Sequence, residues 1–319
     1  MKNGVKLYDT DGNEIHAHGG HMLFHDGYYY WYGEDRRDNV YVSCYRSADL
    51  ENWEFRCHSL TADSPTAYYR VRSDLALSHE LSGERADIAV VREMGGNRCR
   101  VNIERPKVLY NRLTGKFVMW MHYENGLNYH DARCAVATSD TPDGEFTYHG
   151  SFNPFGCMSR DCTLFEDGDT AYFISAARDN ADLHVYRLSE DYLNVDEQVK
   201  SLWQGEYREA PAVFRREGKY YMLSSFCTGW APNQGKWASA DSMEGRWSML
   251  RLFGDETTFR SQPAFVLPVT KEDGEHFYYV GDRWDARNYF NSTYIFFEIQ
   301  FDENGSPYIE YTDEPELFN

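Results

Sequence analysis

Glu209-Ala210-Pro211-Ala212-Val213-Phe214 runs into a turn over 215–218, and Lys219-Tyr220-Tyr221-Met222-Leu223 comes back out of it. A polar residue leads a short apolar run, a turn closing on Gly218 reverses the chain, and an aromatic run returns. That is the pattern of a β-hairpin. The plan recurs four more times. His18-Gly19-Gly20-His21-Met22-Leu23-Phe24 precedes Asp26-Gly27 and Tyr28-Tyr29-Tyr30-Trp31-Tyr32. Glu104-Arg105-Pro106-Lys107-Val108-Leu109-Tyr110 precedes Thr114-Gly115 and Lys116-Phe117-Val118-Met119-Trp120. Asp161-Cys162-Thr163-Leu164-Phe165 precedes Asp167-Gly168 and Thr170-Ala171-Tyr172-Phe173-Ile174. Gln262-Pro263-Ala264-Phe265-Val266-Leu267 precedes Asp273-Gly274 and His276-Phe277-Tyr278-Tyr279-Val280. Asp-Gly and related pairs supply the positive φ that tight hairpin turns need.

Third strands with short polar side chains follow several hairpins, as in Ala135-Val136-Ala137-Thr138-Ser139, Leu183-His184-Val185-Tyr186-Arg187 and Trp237-Ala238-Ser239. A fourth strand often carries Trp, as at Trp53 and Trp247. Four strands per unit at a spacing of roughly 50 residues is the signature of a β-propeller. Five units predict an all-β, five-bladed propeller occupying residues 1–319 as one domain. A two-sheet sandwich is the alternative, but it gives no reason for five similar hairpins. The first spacing is the longest, because residues 58–100 hold an insertion. Its stretch Ser73-Asp74-Leu75-Ala76-Leu77-Ser78-His79-Glu80 is expected to include a short helix, serving as a lid or rim of a pocket or as a plain surface loop. Ring closure is expected to pair Lys6-Leu7-Tyr8 with Ile309-Glu310-Tyr311.

The chain has 25 Tyr, 19 Phe and 8 Trp. Sheet packing accounts for most such rings, and the remainder can stack on the apolar faces of sugars. The formal charge of −19 argues against nucleic acid or an anionic membrane as partner, since both require basic surfaces. Seven cysteines without a CxxC pair point away from a disulfide framework or a zinc site. With no apolar leader after Met1-Lys2-Asn3-Gly4, residence in the cytoplasm is the simplest expectation, and a removed leader would change it to secretion.

In a propeller the innermost strands line the central channel, so the residues that start them gather at one end of it. Here these are His18, Glu104, Asp161, Glu209 and Gln262. Singly, each has a plain structural explanation, such as a strand start, an Asx cap or a core histidine. Five at equivalent positions are harder to explain that way, because crowding carboxylates costs electrostatic energy. Glycoside hydrolysis uses such a set: a protonated carboxyl for the leaving oxygen, and a second group for water or for attack on the sugar. A cation such as Ca²⁺ is the rival occupant. There is no EF-hand loop and no HExxH pattern, so no cofactor or metal is expected.

At these residues the sequence resembles glycoside hydrolase family 43, and within it the exo-β-1,3-galactanases (galactan 1,3-β-galactosidases). The resemblance is carried by Asp9-Thr10-Asp11-Gly12-Asn13, Ala17-His18-Gly19-Gly20, Tyr30-Trp31-Tyr32-Gly33-Glu34, Glu104-Arg105-Pro106-Lys107-Val108, Ser159-Arg160-Asp161, Glu209-Ala210-Pro211-Ala212, Thr228-Gly229-Trp230-Ala231-Pro232-Asn233, Ser261-Gln262 and Gly281-Asp282-Arg283-Trp284. It implies a five-bladed propeller, an inverting mechanism, Glu209 as general acid and Asp161 as the carboxylate that orients and tunes it. Most of the family place a base Asp on the first blade, where this chain has Ala17-His18-Gly19-Gly20. The galactanase-like subgroup shares that departure. There the position of Gln262 has been assigned the base role, with the residue matching Glu104 near the sugar. Gln262 is expected to position the water, with Glu104 binding substrate or sharing the base role.

Other residues are placed within reach of the pocket. Trp230 either stacks on the sugar or packs the rim. Tyr123 and Asn180 lie just past their hairpins. Glu34 is a hydroxyl ligand or a polar residue of the blade core. Asp282 and Arg283 are expected to pair structurally, although Arg283 could instead hold a hydroxyl. The expected substrate is therefore a carbohydrate, β-1,3-linked galactose first. An α-L-arabinofuranosidase or β-xylosidase is the alternative within the family, and a non-catalytic carbohydrate-binding propeller is the alternative outside catalysis.

Overall fold

A computed structural model describes residues 1–67, 76–78, 88, 91–94 and 97–317; of these, the side chains of 76–78, 91–94 and 97–99 are not described. Five sheets form a five-bladed propeller. Blade I holds β1 (His18–His25), β2 (Tyr28–Glu34), β3 (Val40–Ser47) and β4 (Glu54–Thr61). The insertion contributes β5 (Ala76–Ser78) and a small hairpin, β6 (Val91–Met94) and β7 (Asn97–Arg100). Blade II holds β8 (Asn102–Asn111), β9 (Lys116–Glu124), β10 (Arg133–Ser139) and β11 (Thr147–Pro154), with β5 added at its outer edge. Blade III holds β12 (Cys162–Asp167), β13 (Thr170–Ala177), β14 (Asp182–Leu188) and β15 (Val195–Leu202). Blade IV holds β16 (Arg208–Arg216), β17 (Lys219–Phe226), β18 (Gly235–Ala240) and β19 (Arg251–Phe253). Blade V holds β20 (Gln262–Lys271), β21 (Gly274–Arg283) and β22 (Thr293–Glu298), and a separate pair, β23 (Gln300–Phe301) with β24 (Pro307–Tyr308), follows it.

The innermost strands β1, β8, β12, β16 and β20 each touch the next, and β20 returns to β1, which closes the ring. The core divides accordingly into five clusters, one at each junction between blades. This explains the aromatic runs. A strand sandwiched between two blades buries both of its faces, so alternate residues feed different junctions. On β2, Tyr30 and Tyr32 face blade II while Tyr29 and Trp31 face blade V. On β9, Val118 and Trp120 face blade III while Met119, Met121 and Tyr123 face blade I. Trp120 is fully buried, and its indole N–H donates to the Tyr192 carbonyl at 2.7 Å. Trp120→Ala is expected to cost about 3–5 kcal/mol, the usual penalty for emptying a large aromatic site. Denaturant unfolding reads this directly, and a loss below about 1 kcal/mol would contradict a tightly packed junction.

Two expectations are corrected here. Ala76–Ser78 is a strand, pairing with Phe152–Pro154 on β11, and an edge offering unpaired backbone groups favours strand addition over a helix. The remainder of 73–80 lies outside the described residues. Closure does not use Lys6–Tyr8. Instead the Asn3 amide donates to the carbonyls of Phe296 and Thr312, its Oδ1 accepts the Phe296 N–H, and Gly4 N–H donates to Tyr294. A side-chain amide carries the same donor and acceptor as a peptide group, so Asn3 can replace a strand bridge.

Candidate active site

Four of the five residues that lead the inner strands line one cavity of about 310 Å³ at the channel mouth: Glu104, Asp161, Glu209 and Gln262. Local backbone geometry aims two of them. The pairing of β8 with β9 slips between Glu104 and Lys107, and that of β16 with β17 between Glu209 and Ala212. At each bulge the residue after the lead is left-handed, Arg105 at φ 55° and Ala210 at φ 52°. Non-glycine residues adopt this conformation at a cost of order 1–3 kcal/mol and concentrate where function requires it. The bulges turn the carboxylates off the sheet and into the channel.

His18 is the exception. Its bulge places Gly19 at φ 58°, and a Cβ there would come within 2.5 Å of Glu34 Oε1. Glu34 from the neighbouring strand takes that space and lines the cavity. The His18 ring instead lies buried against Tyr294, with centroids 4.3 Å apart, and Nδ1 is 2.8 Å from Asp282 Oδ1. The carboxylate of Asp282 also accepts the Gly19 N–H at 2.9 Å. Asp282 therefore braces the junction of blades V and I and does not pair with Arg283. Adjacent strand residues point to opposite faces, and the guanidinium of Arg283 donates to the Phe259 carbonyl, beside a smaller recess next to the main cavity. Alternation also removes Tyr123, which faces the blade I junction while His122 lines the cavity.

Glu209 is 8% exposed. Oε1 accepts the Gln262 amide at 3.0 Å and Oε2 accepts the Asn180 amide at 3.2 Å. Burial, reinforced by the nearby Asp161 anion, pushes its carboxyl up to about 7. Asp161 is held by Arg105 at 3.1 Å. Arg105 reaches further: its guanidinium donates to Gln262 Oε1 at 2.5 Å and to the Pro263 carbonyl at 2.7 Å, and its N–H donates to Glu34 Oε1 at 3.1 Å. Gln262 Oε1 also accepts the Trp284 indole at 2.8 Å, and Nε2 also donates to Ser225 at 3.0 Å. Arg and Trp are donors only, so the orientation of this amide is determined and all four of its hydrogen bonds are made.

Glu104 stands in the opposite environment. Burial alone would raise its carboxyl, but the His122 imidazole 3.3 Å away, Arg36 at 3.0 Å and the Tyr129 hydroxyl at 2.6 Å bring it down to about 2. Arg36 also bridges to Glu34 at 2.9 Å and lies 4.5 Å from the centre of the Tyr289 ring. One wall is aromatic: Trp230, 37% exposed, stacks against Trp284 with ring centroids 6.0 Å apart. Among the described residues, Asn180 Oδ1 is buried without a hydrogen-bond partner. Among the described residues, Glu104, His122 and Asp161 bring one ligating atom each within 4.8 Å of one another. Each of the three already has partners: the imidazole faces a carboxylate on both nitrogens, and both carboxylates are paired with arginines.

A profile for the glycosyl hydrolases family 43 matches residues 109–252. The chain superposes on a family 43 β-1,3-galactosidase solved with galactodeoxynojirimycin, at 34% identity and a TM-score of 0.83, covering 98% of this chain and 99% of that one. The chain belongs to glycoside hydrolase family 43. It is also similar to an exo-β-1,3-galactanase from Clostridium thermocellum, at 44% identity and TM-score 0.84, covering 98% of this chain and 65% of that one. An exo-β-1,3-galactanase from Phanerochaete chrysosporium, solved with β-1,3-galactotriose, superposes at 34% identity and TM-score 0.81 over 98% of this chain and 67% of that one. The chain thus spans about two thirds of these two galactanase chains. No curated protein gave a match.

Several cavity residues of this family 43 enzyme escaped sequence reasoning. Arg105 and Trp284 sat inside motifs already singled out, at the positions after Glu104 and Arg283. Arg36 lies two residues beyond Glu34 in the segment after β2, and His122 is the residue that pairs with Glu104 across β8 and β9, so the hairpin register could have marked His122. Nothing in its local sequence marks Tyr129, which comes from the loop after β9.

Proposed function

We propose that this family 43 hydrolase releases galactose from the non-reducing end of β-1,3-linked galactan, with inversion of the anomeric centre. One observation carries the reading. A single cavity holds two carboxyls with opposite environments, Glu209 raised to about 7 and Glu104 lowered to about 2, and such a split is how acid and base roles are divided. Protonated Glu209 gives its proton to the glycosidic oxygen as the C1–O bond breaks. Water attacks C1 from the opposite face, and ionised Glu104 takes the water proton. Asp161 orients the acid and keeps its proton on. Gln262 acts on Glu209 and not on the water. Its amide touches the acid directly, whereas an inverting base stands about 6.5–9.5 Å from the acid to leave room for water. The likeness to galactan-cleaving relatives, together with a cavity at the small end of ligand sites, supports attack on chain ends.

The test is hydrolysis of β-1,3-galactobiose followed by proton NMR. α-Galactose is expected as the first-formed anomer. β-Galactose would overturn inversion. Release of arabinose or xylose from aryl glycosides in place of galactose would overturn the substrate, and binding without turnover would make the protein a carbohydrate-binding propeller.

A further inference from the structure

Behind Glu104 lies a buried pair that takes no direct part in proton transfer to or from the sugar or the water. His122 and Glu124 are alternate residues on β9, so both lie on the strand face that carries Trp120, His122 at the cavity and Glu124 behind it. The His122 ring is 1% exposed and Glu124 is fully buried. Imidazole Nε2 makes a hydrogen bond of 2.9 Å with Glu124 Oε1, and Nδ1 lies 3.3 Å from Glu104 Oε2 as an ion-pair contact outside hydrogen-bond geometry. Glu124 Oε2 accepts the Ala132 N–H at 3.0 Å, and its other oxygen lies 4.0 Å from Arg160 Nε. Glu104 Oε1 is taken by Arg36 and Tyr129.

We infer that His122 and Glu124 are positioning residues, a buried imidazolium–carboxylate pair that keeps Glu104 ionised and fixes the plane of its carboxylate towards the attacking water. The inference rests on Glu104 being the base. A neutral imidazole would turn a bare nitrogen lone pair towards one of the two carboxylates, and two buried groups without a shared proton repel each other. Double protonation satisfies both contacts, and Glu124 supplies the counter-charge that makes a buried cation tolerable. The same placement drives His122 up to about 9, where burial alone would lower it. The charges facing this pair are Glu104 from β8, Arg36 from the segment after β2, and Arg160 and Asp161 from the segment before β12. An oxocarbenium-like transition state asks little proton affinity of its base. An oriented anion held beside the forming cation therefore serves the step better than a strong base left mobile.

Glu124→Gln isolates the charge. The new amide oxygen can accept the Ala132 N–H while its NH₂ donates to Nε2. His122 can then become neutral with its proton on Nδ1 facing Glu104, so both contacts keep their shape while the imidazolium and the Glu124 anion behind it are lost together, and Glu104 loses the nearer, opposite charge. Loss of an opposite charge at this distance raises a carboxyl by about 1–3 pH units. The ratio of kcat/KM at pH 3 to that at pH 6 is expected to fall at least about twofold below the wild-type ratio, with the melting temperature at pH 6 little changed. A folded variant with an unshifted acid limb overturns the inference. If the variant does not fold, the wild-type enzyme still decides: nitrogen-15 ring shifts must show His122 doubly protonated at pH 7, and a neutral ring overturns the inference. Glu104→Gln separates this outcome from failure of the base assignment. It should lose about 10³-fold in kcat and regain turnover with azide, giving the α-galactosyl azide. Full activity in Glu104→Gln would remove the base role and, with it, the target of the pair.

Discussion

Glu209→Gln is expected to lower kcat/KM on β-1,3-galactobiose by about 10³-fold, within the range that general acid catalysis supplies. The substitution keeps the size of the side chain and its place beside Asn180 and Gln262, so the loss reflects the missing proton. The size of the deficit should depend on the leaving group. A galactose departing from C1 needs protonation, whereas 2,4-dinitrophenolate does not, so on the dinitrophenyl galactoside the deficit should shrink to within about tenfold. An equal deficit on both substrates would remove Glu209 from the acid role. The wild-type pH profile follows with a definite sign. The acid must carry its proton, and burial beside Asp161 holds that proton up to about 7. Activity should therefore fall on the alkaline side, through pH 7 and upward, and stay flat towards pH 5. A profile that instead rises through pH 7 would reverse the assignment.

Arg105→Met should damage both the fold and the chemistry. Arg105 is 4% exposed and joins four groups: Asp161, Gln262, the Pro263 carbonyl and, through its backbone N–H, Glu34. Removing one partner of a buried ion pair leaves the other charge uncompensated, which costs about 3–5 kcal/mol. The direction of the catalytic effect is also determined. The guanidinium favours the ionised form of Glu209, so its removal lets the acid hold its proton to still higher pH. The alkaline limb should move upward while kcat drops at least about tenfold, because Gln262 and Asp161 lose their common anchor. Urea unfolding and the pH profile of the same sample measure the two effects. Unchanged stability, or a limb that moves to lower pH, would show that Arg105 is not the hub the geometry makes it.

The propeller was legible in the chain because its determinants are local and repeated. Hairpin turns such as Asp26-Gly27 and aromatic runs such as Tyr29 to Tyr32 depend only on neighbours in sequence. One repeat register was enough to place Glu104, Asp161, Glu209 and Gln262 around one axis. The face that a residue takes on its strand was less legible than the strand itself. Tyr123 was placed in the pocket and His122 was not, and a shift of one position along a strand exchanges its two faces. His18 failed for another reason, since its lead position was given up when Glu34 from the next strand entered the space that Gly19 leaves open.

The electrostatics of the site belonged to tertiary structure alone. Glu104 and Glu209 have the same side chain and equivalent repeat positions, so apart from the family resemblance, which marked Glu209 as the acid, their local sequence gives no physical ground for different protonation. The difference comes from what surrounds each in space: His122, Arg36 and Tyr129 about the first, and burial beside the Asp161 anion about the second. Those partners come from distant segments of the chain, and Coulomb interactions act through separation in space, not in sequence. The chain by itself determined a five-bladed ring with carboxylates at its axis; only the folded ring decided which of them keeps its proton.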